Sequence, residues 1–261
     1  MDDIFRGSTA LVTGASRGIG AAFAEALARR GANLVLVART AADLERVAAS
    51  SRAHGGKAEV YPADLGQPGS VAALIGALEA RGIVVDHLVN NAGIGPHGQF
   101  AEPPMERHLQ TVDLNVRAVT DLASRLLPGM LERRRGGILN VASTAAFQGL
   151  AWLPVYSGTK AYVVTWSEGV WASLRGTGVR CTCLCPGPVD TPFFDRNGHA
   201  IRPPRILMQS AEKVAAIGLK AYERDRCMVI PSWLFALAAW SVRLAPRAVV
   251  ARAGATYSAR R

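Results

Sequence analysis

The run Thr9-Ala10-Leu11-Val12-Thr13-Gly14-Ala15-Ser16-Arg17-Gly18-Ile19-Gly20 decides the fold. Five strand-forming residues pass directly into a glycine-rich turn and then into an alanine-rich stretch that predicts a helix over 19–30. Glycines let the chain turn tightly and let an anion approach the backbone, while a helix starting at Gly18 aims its free N–H groups at that anion. Such a turn is weak evidence alone. Between the first strand and first helix of a βαβ unit, it marks a dinucleotide site.

Working outward, apolar runs predict strands at 33–37, 58–61, 87–90, 137–142 and 180–184, with a short one at 228–230. Helical stretches at 41–54 and 70–81, and longer ones further on, separate them. Continuous apolar strands alternating with helices imply parallel strands buried on both faces. Right-handed crossovers then predict an α/β fold: a doubly wound (Rossmann) sheet, mostly parallel and seven-stranded, with helices on both faces. The 261 residues are 49% hydrophobic and 19% charged, suiting one large well-covered core. Residues 1–230 read as the dinucleotide-binding and catalytic domain, and 231–261 as its basic, apolar, helical C-terminal extension.

The net charge of +10 comes almost wholly from arginine, since Lys57, Lys160, Lys213 and Lys220 are the only lysines. These charges are dispersed and lack interleaved aromatics, which argues against nucleic-acid binding. Cys181, Cys183 and Cys185 alternate and so share one face of a strand, where they suit core packing rather than disulfides or a metal. The polar N-terminal residues lack the apolar core of a secretory signal, so a reducing, cytoplasmic setting is expected.

Cofactor choice rests on the second strand. An NAD enzyme ends that strand with an acid for the ribose 2′-hydroxyl. Here Leu34-Val35-Leu36-Val37 is followed by Ala38 and Arg39. Arg39, with Arg17 on the same side, suits a 2′-phosphate, and NADP is expected.

Tyr156-Ser157-Gly158-Thr159-Lys160 places a phenol and an ammonium four residues apart on one helix face. A nearby cation lowers a phenol pKa toward working pH, which suits Tyr156 to acid/base work. Ser143, just past the 137–142 strand, adds a hydroxyl for a substrate oxygen.

Together these motifs resemble the short-chain dehydrogenase/reductase family, single-domain type, with its TGxxxGxG loop and YxxxK pair. The resemblance runs from Gly7 to Pro192. It implies an oxidoreductase moving hydride between the nicotinamide and a carbonyl or secondary alcohol, with Asn115, Ser143, Tyr156 and Lys160 as a tetrad. In that frame Lys160 binds the nicotinamide ribose, and Asn115 holds a water linking Lys160 to solvent. The family's cofactor contacts fall on Gly14, Ser16, Arg17, Gly18, Ile19 and Gly20, then on Asp64 and Leu65 near adenine. They continue at Asn91, Ala92 and Gly93, and at Pro186, Gly187, Val189 and Thr191 near the nicotinamide and its phosphates. A non-enzymatic NADP-sensing module, and an epimerase or dehydratase on the same scaffold, are the alternatives. The former would be expected to lack Tyr156 or Lys160, and the latter would need room for a separate substrate domain.

Substrate choice is expected from 94–100, 144–154 and 193–208. The last reads as a mobile lid, carrying Gly198 and Pro203-Pro204. Phe147, Leu150, Trp152, Phe193 and Phe194 suggest a bulky, apolar ketone or aldehyde. His97 reads as a loop residue. Trp233, Leu237, Trp240 and Leu244 share a helical face, followed by Arg247, Arg252, Arg260 and Arg261, with no acid after Asp225. Too short to span a bilayer, this segment is expected to cover a partner subunit or pack on the chain itself, with a membrane surface as the alternative. Helices at 116–133 and 155–175 are the expected seam of a homodimer or homotetramer.

Overall fold

Each apolar run becomes a strand and each alanine-rich stretch a helix. In the computed structural model, which describes residues 3–197 and 203–258, the chain alternates from the start. The first half runs β1 (Thr9–Thr13), α1 (Gly18–Ala28), β2 (Asn33–Ala38), α2 (Ala41–Arg52), β3 (Ala58–Pro62), α3 (Ser70–Ala80) and β4 (His87–Asn90). A long helical run follows: α4 (Met105–Val112), a π-helical turn (Asp113–Arg117) and α5 (Ala118–Glu132). Then come β5 (Gly137–Val141), a 3₁₀ turn (Thr144–Phe147), α6 (Pro154–Ser173), β6 (Arg180–Leu184) and the short α7 (Phe193–Arg196). The chain finishes with α8 (Ala211–Glu223), β7 (Met228–Val229), α9 (Trp233–Ser241) and α10 (Arg247–Ser258). Gly198, Arg260 and Arg261 lie outside the described residues.

The seven strands order as β3-β2-β1-β4-β5-β6-β7, and every neighbouring pair is parallel. One face is packed by α1, α2 and α8 through Phe23, Leu27, Leu44 and Val214. The other is packed by α3, α5 and α6 through Leu74, Leu78, Leu122 and Trp166. That sandwich explains why strand residues alternate between faces yet are apolar on both.

The structure trims two helices. Those expected at 19–30 and 41–54 stop at Ala28 and Arg52, because Gly31 and Gly55 follow with φ of +79° and +88°, where helix cannot continue. The helix expected from 116 instead begins at Met105 and carries the π-turn within it. Cys181, Cys183 and Cys185 are buried and unbridged, with the Cys183 and Cys185 Sγ atoms 3.7 Å apart.

The crossover from β3 to β4 carries the chain to the other side of β1. It opens a crevice beyond the carboxyl ends of β1 and β4, where doubly wound sheets bind ligands. Thr13, the last residue of β1, holds this point together. Its Oγ1 accepts hydrogen bonds from the backbone N–H groups of Asn91 (2.9 Å) and Ala92 (3.0 Å), and the Asn91 amide donates back to the Thr13 carbonyl at 2.9 Å.

Candidate active site

Above that crevice lies a cavity of about 1390 Å³. Of the residues expected to touch cofactor or substrate, all but Gly20 and Asn115 line it. The glycine-rich loop forms its floor. Gly14 and Gly18 adopt φ of +64° and +55°, and Gly20 lies so close beneath that a Cβ there would sit 2.2 Å from the Gly14 carbonyl oxygen. The loop is thereby flattened against the first turn of α1, whose N–H groups remain free for an anion. Replacing Gly20 by Ala is expected to destabilise the protein by about 1–3 kcal/mol through overpacking and to raise the KM for the dinucleotide. A thermal melt measures the first and initial rates at varied cofactor concentration the second; an unchanged melt would show that the loop has room to relax.

Arg39, exposed at the end of β2, borders the cavity and forms no ion pair among the described residues. Arg17 departs from expectation. Its guanidinium is engaged by Asp43 in the first turn of α2, while its Nε is buried without a partner. The hydrogen bond from Arg46, with the nearby Arg17 guanidinium, holds the Asp43 carboxyl below the usual range. A flat glycine cradle, an arginine without an ion-pair partner among the described residues and an orphaned arginine N–H suit the phosphates of a dinucleotide.

Tyr156 and Lys160 project from successive turns of α6. The Tyr156 ring lies against Gly95, where a Cβ would come within 2.6 Å of its edge, and faces Phe193 with ring centroids 5.7 Å apart. Burial pushes the phenol up to about 12, and a hydrogen bond with the Ser143 hydroxyl works in the opposite direction. Lys160 is buried, its Nζ donating to the Val141 carbonyl at the end of β5 (2.7 Å) and lying 5.8 Å from the centre of the Tyr156 ring. Burial brings its pKa down to about 8. Lowering of the Tyr156 pKa by Lys160, expected from the spacing, is therefore not what the protein alone shows: the two groups are both desolvated, and burial dominates. Ser143 has a second task, its Oγ capping the 3₁₀ turn by accepting from Ala145 N–H at 3.1 Å.

Asn115 stands behind the cavity wall, in the π-turn, fully buried. Its Oδ1 accepts from Ile94 N–H (3.0 Å), and its Nδ2 donates to the Ile94 carbonyl (2.8 Å) and to Thr159 Oγ1 (3.0 Å). With the side chain so engaged, Asn115 positions the 93–95 loop and the helix that carries Tyr156 and Lys160.

Several wall residues carried little signal in the sequence. His97, expected to be a loop residue, also lines the cavity and stacks on Trp152, with centroids 5.7 Å apart and planes 11° from parallel. Asn197 is buried and accepts from Gly95 N–H through Oδ1 at 2.9 Å. The Phe235 ring of α9 sits over Gly187, where a Cβ would fall 2.8 Å from it. Only its place in an apolar stretch could have marked Phe235 beforehand.

A family model described as short chain dehydrogenase matches residues 8–201. The ketoacyl reductase HetN of Nostoc is 35% identical over 86% of this chain and 78% of its own. Among solved structures, a short-chain dehydrogenase from Sphingobium yanoikuyae in complex with NADPH is 31% identical, with a TM-score of 0.81 over 91% of this chain and 94% of that one. A short-chain dehydrogenase/reductase from Burkholderia phymatum in complex with NAD is 27% identical, with a TM-score of 0.83 over 93% of this chain and 96% of that one. With its parallel seven-stranded sheet, glycine cradle and paired Tyr156 and Lys160, this chain belongs to the short-chain dehydrogenase family of oxidoreductases.

Proposed function

We propose that the protein reduces a bulky, largely apolar ketone or aldehyde with NADPH, or runs the reverse oxidation, with Tyr156 as general acid/base. The observation that carries this reading is the convergence of Ser143, Tyr156 and Lys160 on the cavity that Gly14, Gly18 and Arg39 also border. The residues suit NADP: Arg39 follows Ala38, so no carboxylate at the strand end opposes a 2′-phosphate. The similarity to a ketoacyl reductase and to an NADPH complex supports the same direction.

The bound nicotinamide would supply or accept the hydride. The Ser143 and Tyr156 hydroxyls hold the carbonyl oxygen, and as negative charge grows there Tyr156 donates its proton. A phenol with its pKa pushed up to about 12 stands protonated at neutral pH, ready for reduction. The Lys160 ammonium then stabilises the phenolate left behind. Asn115 keeps Lys160 and the 93–95 loop in register; a water path from Lys160 to solvent would use its main-chain carbonyl, since its amide is engaged.

Lys160 sets the pH dependence. Because its pKa falls to about 8, the ammonium persists below that value and is lost above it. The kcat/KM for ketone reduction is expected to stay level on the acid side of about pH 8 and to decline beyond it. A profile level throughout the alkaline range would remove Lys160 from this role. Screening ketones by NADPH absorbance tests the reading as a whole; no consumption with any apolar ketone or ketoacyl ester would count against it. Assembly as a homodimer or homotetramer is part of the proposal, with exposed Leu109, Val112 and Tyr162 of the α4–α6 face as the seam. Sedimentation velocity checks it.

A further inference from the structure

Helix α9 and the 3₁₀ turn that follows it (Val242–Leu244) have two apolar faces with different surroundings. Leu234, Phe235, Ala238, Ala239 and Val242 line the cavity. On the opposite side, Trp233, Leu237, Trp240 and Leu244 are 78%, 55%, 58% and 72% exposed. An ordinary surface helix turns polar residues outward; one apolar all round is either buried or in contact with lipid. The outer face of α9 is not covered by any described part of this chain.

Charge says what covers it. From Arg226 to the end the sequence has six arginines and no aspartate or glutamate. Arg243, Arg247 and Arg252 are exposed and make no ion pair among the described residues. Arg243 also borders a small cleft with Glu168 and Asp225, so Arg247 and Arg252 are the more available of the three. A second copy brought against this surface by a twofold axis would set arginines toward arginines. An anionic bilayer instead offers acyl chains to the tryptophans and leucines and phosphate headgroups to the arginines.

We infer that the outer face of α9, flanked by the arginines of α9–α10, docks on an anionic phospholipid surface. No described helix is long and apolar enough to cross a membrane, so the contact is peripheral. The geometry gives docking a consequence, which rests on the function proposed above. The helix that meets lipid is also a wall of the cavity, and Leu234, 44% exposed, belongs to both. An apolar ketone dissolved in the bilayer thus reaches Tyr156 from beneath α9 without crossing water.

Flotation with vesicles of phosphatidylcholine, alone or mixed with phosphatidylglycerol, tests the docking independently of any activity. The full chain is expected to bind the anionic vesicles at least about ten-fold more strongly, with the preference falling as salt rises. The triple variant Trp233→Gln, Leu237→Gln, Trp240→Gln should lose binding to both. Arg243→Gln, Arg247→Gln, Arg252→Gln should lose only the anionic preference. Quenching of wild-type tryptophan fluorescence by brominated acyl chains needs no variant, and so covers a variant that fails to fold. Wild-type protein left in the lipid-free fraction with both mixtures would overturn the inference. So would equal binding to both, or a lipid-free dimer that the tryptophan variant converts to monomer.

Discussion

Tyr156→Phe is expected to lower kcat for ketone reduction by a factor of about 10²–10⁴, the range that a positioned general acid contributes. The substitution removes a hydroxyl and nothing else. The ring keeps its place against Gly95 and Phe193, and the cradle at Gly14 and Gly18 is untouched. Affinity for NADPH should therefore stay within about two-fold of wild type. The lost hydrogen bond to Ser143 should alter stability by about 1 kcal/mol or less. Single-turnover measurement of NADPH absorbance, alongside fluorescence titration of the cofactor, separates chemistry from binding. Turnover that survives the change would move the proton donor elsewhere. A joint loss of turnover and NADPH affinity would make Tyr156 a binding residue instead.

Arg39→Ala should weaken NADPH by about 10–100-fold and leave NADH nearly unchanged, the cost of losing charge-assisted hydrogen bonds to one phosphate. The asymmetry is the test, because a general disturbance of the loop would weaken both cofactors alike. Arg17→Ala should discriminate less, since Asp43 already neutralises much of that charge. The reciprocal change Asp43→Asn releases Arg17 and is expected to improve NADPH binding by a few-fold, a modest effect at a partly exposed, screened pair. Equal loss of NADPH and NADH in Arg39→Ala would sink the cofactor assignment.

The strands, the glycine loop and the Tyr156–Lys160 pair were all legible in the sequence because each is a local pattern. A buried parallel strand is a short apolar run, a helix face repeats every three to four residues, and a tight turn demands glycine. So β1, β4 and β6 begin and end where their residue types change, and Tyr156 and Lys160 meet because one helical turn separates them. The C-terminal segment shows where local reading thins out. Its apolar stretch predicted a helical extension, but nothing in that stretch assigned one half of its surface to the cavity.

What the sequence by itself determined, then, is the doubly wound sheet and the chemical types gathered at its carboxyl edge, starting from the run at Thr9–Gly20. What only the tertiary structure decided are the partnerships between distant residues. Arg17 is held by Asp43 from the next helix. Asn115 is turned by a π-turn onto the backbone of Ile94, Phe235 is laid over Gly187, and burial sets Tyr156 and Lys160 on their present pKa values. The reason is physical. Periodicity and turn chemistry act between near neighbours along the chain. Ion pairing, close packing and desolvation depend on atoms that only the folded chain brings together.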